Sequence, residues 1–124
     1  MKTDSASLAL KLVAQEIGIG LAVGKALGRA GARVCVNGRS RSRVESAREE
    51  LEKAGIETFV VTFDVTDEAA VDAGIGTIER DFGPIDILVN NAGIATSAPL
   101  KATTLETWSR VMAVNATGTF LCTQ

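Results

Sequence analysis

The chain has 124 residues, of which 46% are hydrophobic and 23% charged, with a net charge of -2 and 2 cysteines. These values fit one globular domain. They argue against nucleic acid as a partner, against a disulfide framework or a metal site, and against a membrane protein, since no apolar run reaches ~20 residues. The first seven residues form a poor secretory signal, which favours a cytoplasmic protein. Histidine and tyrosine are both absent from the 124 residues, so a histidine base or a phenolic acid is excluded within them.

Taken in chain order, the hydrophobic pattern alternates short strand-like runs with amphipathic helical runs. It predicts strands at 8–13, 33–37, 58–61 and 85–89. The first helix is expected at 19–30, and the second runs from the turn at 38–42 to Gly55, with Val44, Ala47, Leu51 and Ala54 on one face. The third helix is expected to run from a cap at Thr66 to Gly83. The fourth begins at Thr103 or Thr104, with Glu106 placed for a capping box, and runs to the end of the chain. Alternating strands and helices imply a parallel sheet with right-handed crossovers.

Three glycines fall inside predicted helices, namely Gly24, Gly74 and Gly76. Each is expected to cost ~1 kcal/mol relative to alanine. Because the free energy of unfolding of a typical protein is only ~5–15 kcal/mol, these glycines predict a fold of low stability.

Two signals near the start of the chain indicate a bound nucleotide. Gly18-Ile19-Gly20 lies where a strand should turn into a helix, so that backbone N–H groups could approach a pyrophosphate; an ordinary turn is the alternative. Gly38 then stands where NAD-selective folds place an acid for the ribose.

Positive charge follows Gly38 at Arg39, Arg41 and Arg43. Arginines near a helix N-terminus oppose the helix dipole, and an anion such as a 2′-phosphate would explain them. A solvated basic turn remains the alternative. The Arg-Ser alternation is too short, and lacks the aromatic residues, for an RNA-binding segment.

Polar groups also follow the next two strands, at Asp64-Val65 and at Asn90-Asn91-Ala92-Gly93. In an open α/β sheet ligands collect at the carboxyl ends of the strands. Asp64 is equally consistent with an adenine contact and with a helix-capping acid. Asn115 interrupts an apolar stripe formed by Val111, Val114, Gly118 and Leu121, and spacing alone favours a hydrogen-bonded buried amide there.

The order and spacing of these motifs resemble those of the short-chain dehydrogenases/reductases, over roughly residues 17–124. The Asn90-Asn91-Ala92-Gly93 run after an apolar strand is the most specific of them. The sequence of residues 83–122 is most similar to those of the 3-oxoacyl-acyl-carrier-protein reductases and related 3-hydroxyacyl dehydrogenases. The resemblance covers about the first half of a typical family member.

The resemblance implies a Rossmann-like, doubly wound parallel sheet of about four strands in the order 3-2-1-4, truncated to a single partial domain over 1–124. It implies that Gly18, Ile19 and Gly20 line the pyrophosphate of NADP, with NAD less favoured. By the same resemblance Arg39 would contact the adenosine phosphate, Asp64 and Val65 would hold the adenine, and Asn90, Asn91, Ala92 and Gly93 would border the cleft.

The resemblance also places Asn115 in a catalytic tetrad whose serine, tyrosine and lysine would lie beyond Gln124. In the family these groups act on a small carbonyl or alcohol substrate. These 124 residues alone are therefore expected to be inactive. A bare sheet edge and exposed apolar faces predict self-association.

Residues 1–16 depart from the family pattern. Val13 and Ala14 replace the family's Thr-Gly, Glu16 would compete with a pyrophosphate, and Lys11 falls within a strand that should be apolar. Three interpretations remain open: the coenzyme-binding fragment of an NADP-dependent reductase, a catalytically inactive nucleotide-binding module, and the non-functional product of a disrupted gene.

Overall fold

Four strands and five α-helices alternate along the part of the chain that the computed structural model describes, residues 9–13 and 18–124. The strands are β1 Ala9–Val13, β2 Arg33–Gly38, β3 Thr58–Thr62 and β4 Ile87–Asn90. The helices are α1 Ile19–Arg29, α2 Arg41–Lys53, α3 Glu68–Asp81, α4 Leu105–Met112 and α5 Gly118–Thr123. A 3-10 turn, Leu100–Ala102, precedes α4, and a π-helical turn, Ala113–Thr117, joins α4 to α5. The predicted α/β class is confirmed.

The strands form one parallel sheet in the order β3-β2-β1-β4. β1 is an inner strand of this sheet, and its Lys11 lies in register with Cys35 on β2 and Leu88 on β4. Because the strands are parallel, their C-terminal ends meet along one side of the sheet, which we call the carboxyl edge. The candidate nucleotide residues follow the strands at this edge.

Helices cover both faces of the sheet, as a parallel sheet requires. On one face the core consists of Ala32, Val34, Val36, Val44, Ala47, Leu51 and Ile56. On the other it consists of Cys35, Phe63, Val65, Val71, Ile78, Phe82 and Cys122. β2 contributes to both clusters because successive side chains point to opposite faces. The predicted inner face of α2 is confirmed except at Ala54, which is exposed just beyond the last turn.

The start of α3 differs from the prediction by one residue. Asp67, not Thr66, is the N-cap, and its carboxylate accepts a hydrogen bond from the Ala70 N–H at 3.0 Å. The hydroxyl of Thr66 instead donates to Asp64 Oδ1 at 2.7 Å. The acceptor that caps α3 is therefore supplied one residue later than predicted.

The start of α4 also lacks the predicted capping box. Thr104 is the N-cap and accepts from the Thr107 N–H at 3.1 Å, while the Thr103 hydroxyl donates to the Pro99 carbonyl at 3.2 Å. Glu106 therefore lies one position too early to complete a box. It remains in the first turn, where its charge is favourable to the helix dipole.

Two of the helical glycines differ in what surrounds them. At Gly74 an added Cβ would overlap the ring of Phe63, whereas at Gly76 it would meet nothing within 4 Å among the described residues. The expected destabilisation of a helix by glycine, relative to alanine, therefore still applies at Gly76. At Gly74 the missing side chain lets α3 approach the sheet.

Within the described residues, no helix combines the length and apolarity needed to cross a membrane.

Candidate functional site

The first helix starts at the carboxyl edge with exposed backbone. Gly18 is the N-cap of α1 at φ 90°, a conformation that favours glycine. Among the described residues no side chain caps this end, and no acid stands in the first turn. Gly18 and Ile19 are exposed and Gly20 is buried. The first N–H groups of α1 can therefore receive an anion. The predicted effects of Ala14 and Glu16 lie outside the described residues.

A buried amide joins the ends of β2 and β3. Asn37 is only 3% exposed, and its Oδ1 accepts from the Phe63 N–H at 3.0 Å while its Nδ2 donates to the Phe63 carbonyl at 3.3 Å. The two bonds fix the backbone just before Asp64. Sequence reasoning missed this role, although an asparagine inside an otherwise apolar strand is the signal that could have revealed it.

The arginines after β2 are not equivalent. Arg39 is exposed in the turn between β2 and α2, and its charge acts on Asp64. Arg41 is the first residue of α2, and its Nη2 lies 2.8 Å from Glu45 Oε1. A carboxylate one helical turn away therefore offsets part of the charge of Arg41, so that its position does not by itself require an external anion.

Asp64 is held at the carboxyl edge by Thr66. Its Oδ1 accepts from the Thr66 N–H at 2.9 Å and from the Thr66 hydroxyl at 2.7 Å. The backbone hydrogen bond is the main cause that lowers the pKa of Asp64, and the hydroxyl and the charge of Arg39 act in the same direction, against a partial burial that raises it. The carboxylate is thus ionised at neutral pH, and its Oδ2 takes no part in the Thr66 bonds. The alternative that Asp64 caps α3 is wrong, because Asp67 does so.

Val65 and the segment after β4 complete the edge. Val65 is buried, and a Cβ at Gly118 of α5 would lie 2.7 Å from its Cγ2, so that only glycine fits there. Asn90 ends β4, and its Nδ2 donates to Thr123 Oγ1 at 3.1 Å. Asn91, Ala92 and Gly93 follow, half-buried.

Asn115 ties this segment to the helical layer. Its Oδ1 accepts from the Ile94 N–H and its Nδ2 donates to the Ile94 carbonyl, both at 2.8 Å. A Cβ on Gly93 would lie 3.4 Å from the same Oδ1. The expectation of a hydrogen-bonded amide is confirmed, but the residue is exposed rather than buried.

The Asn115 side chain projects from the π-helical turn, the one place between α4 and α5 where the helical pattern widens. Such single turns are frequent at functional sites. With both ends of its amide engaged by Ile94, Asn115 acts on the shape of the segment after β4. We therefore describe it as a positioning residue.

The predicted site residues converge on the carboxyl edge. Val13 at the end of β1 lies in register with Asn90, Asn37 joins β2 to β3, and Val65 and Asn115 contact neighbouring segments through Gly118 and Ile94. An open helix N-terminus, an exposed arginine and an ionised carboxylate therefore follow three of the parallel strands. This arrangement suits a ligand with separated phosphate and base groups.

Neither metal nor thiol chemistry finds support in the described residues. No three His, Cys, Asp or Glu side chains there are grouped to hold a metal ion. Cys35 and Cys122 are both buried, and burial raises the pKa of the Cys122 thiol. That thiol is therefore protonated at neutral pH and a poor nucleophile.

Comparison with known proteins gives one consistent result. A family model described as "short chain dehydrogenase" matches residues 12–124. Gluconate 5-dehydrogenase of Gluconobacter oxydans (strain 621H) is 45% identical over 107 residues, which are 86% of this chain and 42% of that protein. The chain thus spans less than half the length of this relative.

Solved structures agree with this match. A gluconate 5-dehydrogenase from Burkholderia cenocepacia J2315, in complex with NADP and tartrate, superimposes with a TM-score of 0.89 at 35% identity, over 95% of this chain and 46% of that one. An actinorhodin polyketide ketoreductase variant with NADPH superimposes with a TM-score of 0.89 at 33% identity, over 95% of this chain and 46% of that one.

Proposed function

The chain belongs to the short-chain dehydrogenase family, and from that premise we propose that its carboxyl edge binds NADP in preference to NAD. The observation that carries the proposal is the placement of Arg39 and ionised Asp64 after neighbouring strands, beside a helix N-terminus that no described side chain caps. The NADP and NADPH in two similar structures support the same choice of coenzyme.

Three parts of the coenzyme, namely the pyrophosphate, the 2′-phosphate and the adenine, have candidate binding groups in the chain. The N–H groups that follow Gly18 would bind the pyrophosphate, and Arg39 would bind the 2′-phosphate through charge-assisted hydrogen bonds. Asp64 Oδ2 would accept from the adenine amino group, next to Val65. Asn90, Asn91, Ala92 and Gly93 would border the cleft. When bound, the nicotinamide supplies hydride transfer.

We propose that these 124 residues bind coenzyme but do not turn over substrate by themselves. They contain neither tyrosine nor histidine, so two of the side chains that commonly transfer protons at a carbonyl or alcohol near neutral pH are absent from them. Within the whole protein, Asn115 would position the segment after β4 beside the coenzyme, with the proton-transfer groups supplied from outside these residues. A catalytically inactive nucleotide-binding module and the product of a disrupted gene are the competing proposals.

The substrate class we propose is a small carbonyl or alcohol compound, with a sugar acid as the first choice. Its support is the 45% identity to gluconate 5-dehydrogenase. A 3-oxoacyl substrate remains a prediction from the sequence of residues 83–122, and a cytoplasmic location remains a prediction as well.

Self-association is also proposed, through apolar side chains on α4 and α5. Leu105 is 79% exposed and Trp108 55% exposed, and Met112 and Phe120 are exposed as well. Such a patch loses contact with water when two copies associate.

Calorimetric titration of the chain with NADP⁺ and with NAD⁺ tests the coenzyme proposal. We expect tighter binding of NADP⁺, and we expect Arg39→Gln to remove most of the difference. Arg80→Gln is the matched control, because Arg80 is an exposed arginine that pairs with Asp81 at the far end of α3. Tighter binding of NAD⁺ would refute the role of Arg39. Binding of neither coenzyme by a folded chain would favour the disrupted-gene alternative.

A further inference from the structure

A row of alternating charges runs along α2 from its first residue. Arg41 Nη2 lies 2.8 Å from Glu45 Oε1, Glu45 Oε2 lies 3.5 Å from Arg48 Nη1, and Arg48 Nε lies 2.9 Å from Glu52 Oε1. We call these four side chains the α2 ion-pair row. Glu45 is shared, with one carboxylate oxygen toward each arginine.

The position of Arg41 makes this row relevant to the carboxyl edge. Arg41 is the first residue of α2, two positions after Arg39, and its side chain is 67% exposed. Its partner Glu45 lies one turn toward the C-terminus of the helix. The ion pair therefore draws the guanidinium along the helix and away from the end at which an anion would bind.

We propose that Glu45 is a specificity-determining residue, which withholds Arg41 from the 2′-phosphate and leaves its recognition to Arg39. This inference rests on the proposed NADP site. Glu45 would oppose phosphate binding in two ways, because it competes for the guanidinium and because its own negative charge lies one turn from the first residue of α2, near which the phosphate would bind.

The weakness of exposed ion pairs limits the expected effect of Glu45 to a modest change in phosphate affinity. An exposed ion pair is weak, because water screens it and two long side chains must be ordered. Glu45 retains Arg48 when Arg41 leaves, so the exchange leaves no carboxylate without a counter-charge. Neutralising Glu45 removes its pairs with both Arg41 and Arg48, and it should allow Arg41 to reach the phosphate while Arg48 keeps its pair with Glu52.

The first experiment compares 2′,5′-ADP with 5′-AMP, two probes that differ only in the 2′-phosphate, by calorimetric titration of the 124-residue chain at low salt. We expect Glu45→Gln to tighten binding of 2′,5′-ADP by about three- to tenfold and to leave 5′-AMP unchanged. Glu52→Gln is the matched control, since it removes an equivalent i,i+4 pair and the same charge without contact to Arg41. An equal gain in Glu52→Gln would overturn the proposal, because net charge alone would then explain it.

The second experiment introduces Arg41→Gln into the wild-type chain and into the Glu45→Gln variant. We expect it to weaken 2′,5′-ADP binding less than twofold when Glu45 is present and by about three- to tenfold in Glu45→Gln. Equal losses in the two backgrounds would overturn the withholding role. Thermal unfolding of every variant checks that these exposed substitutions leave the fold intact.

Failure of this inference can be told from failure of the NADP site itself. If Arg39→Gln abolishes the preference for 2′,5′-ADP while Glu45→Gln has no effect, the NADP site stands and the role of Glu45 is refuted. If the wild-type chain does not distinguish 2′,5′-ADP from 5′-AMP, and Arg39→Gln changes neither affinity, both proposals fail.

Discussion

Replacing Asn115 with alanine is expected to release the segment after β4 from the helical layer. The substitution removes two hydrogen bonds of 2.8 Å, one from the Ile94 N–H and one to the Ile94 carbonyl. A typical protein hydrogen bond contributes ~0.5–1.5 kcal/mol, and because Asn115 is exposed, water replaces part of this. The local loss should therefore be about 1–2 kcal/mol, which corresponds to roughly five- to thirtyfold more frequent opening.

Amide hydrogen exchange at Ile94 measures this opening directly, since its N–H is the donor to Asn115 Oδ1. We expect exchange to be faster by that factor in Asn115→Ala. Asn115→Asp should give an intermediate rate, because it keeps an acceptor for the Ile94 N–H and loses the donor to the carbonyl.

The matched control is Asn90→Ala, which removes another exposed asparagine amide that bonds to Thr123 and should leave Ile94 exchange within about twofold of wild type. Unchanged Ile94 exchange in Asn115→Ala would refute the positioning role. An equal acceleration in the control would refute its specificity.

Three further outcomes are expected. Urea unfolding should show Gly76→Ala more stable by about 0.5–1 kcal/mol and Gly74→Ala less stable, because its new Cβ overlaps the ring of Phe63; a gain in both would contradict that packing. The lowered pKa of Asp64 stabilises the fold above its unfolded pKa of ~3.9, and this contribution disappears as pH falls through the lower folded pKa. The difference in thermal stability between wild type and Asp64→Asn should therefore vanish in acid, and a constant difference would oppose this reasoning. Sedimentation should show concentration-dependent association that Trp108→Glu weakens, whereas a monomer at every concentration would exclude the apolar patch as an interface.

Elements with a strong periodic pattern were predictable because burial acts on each of them locally. The inner face of α2 was predictable because apolar residues such as Val44 recur at helical spacing. The burial of β2 was predictable because apolar residues such as Val36 form the short run that is typical of a parallel strand. The position of a cap was less predictable. Thr66 and Asp67 are both good capping residues, and only the tertiary structure shows that Asp67 caps α3 while Thr66 donates to Asp64.

Candidate residues of the site were found in the sequence wherever a motif placed a polar group after an apolar strand. Arg39 and Asp64 are of this kind, whereas Asn115 was found as the polar residue that interrupts an apolar helical stripe. Their partners were not predictable, because Phe63 lies 26 positions from Asn37 and Ile94 lies 21 positions from Asn115. Hydrogen bonds over such separations depend on how strands and helices come together.

The sequence by itself determined the alternation of strands and helices, the family membership and the residues at the strand ends, since these depend on local pattern. Tertiary structure decided what those residues can do. It showed Arg41 paired with Glu45, Asp64 held by Thr66, and Asn115 exposed, with its amide bonded to the backbone of Ile94. The physical reason is that the function of a polar group depends on which partner already satisfies its charge or hydrogen bonds, and that partner is set by the packing of the whole chain.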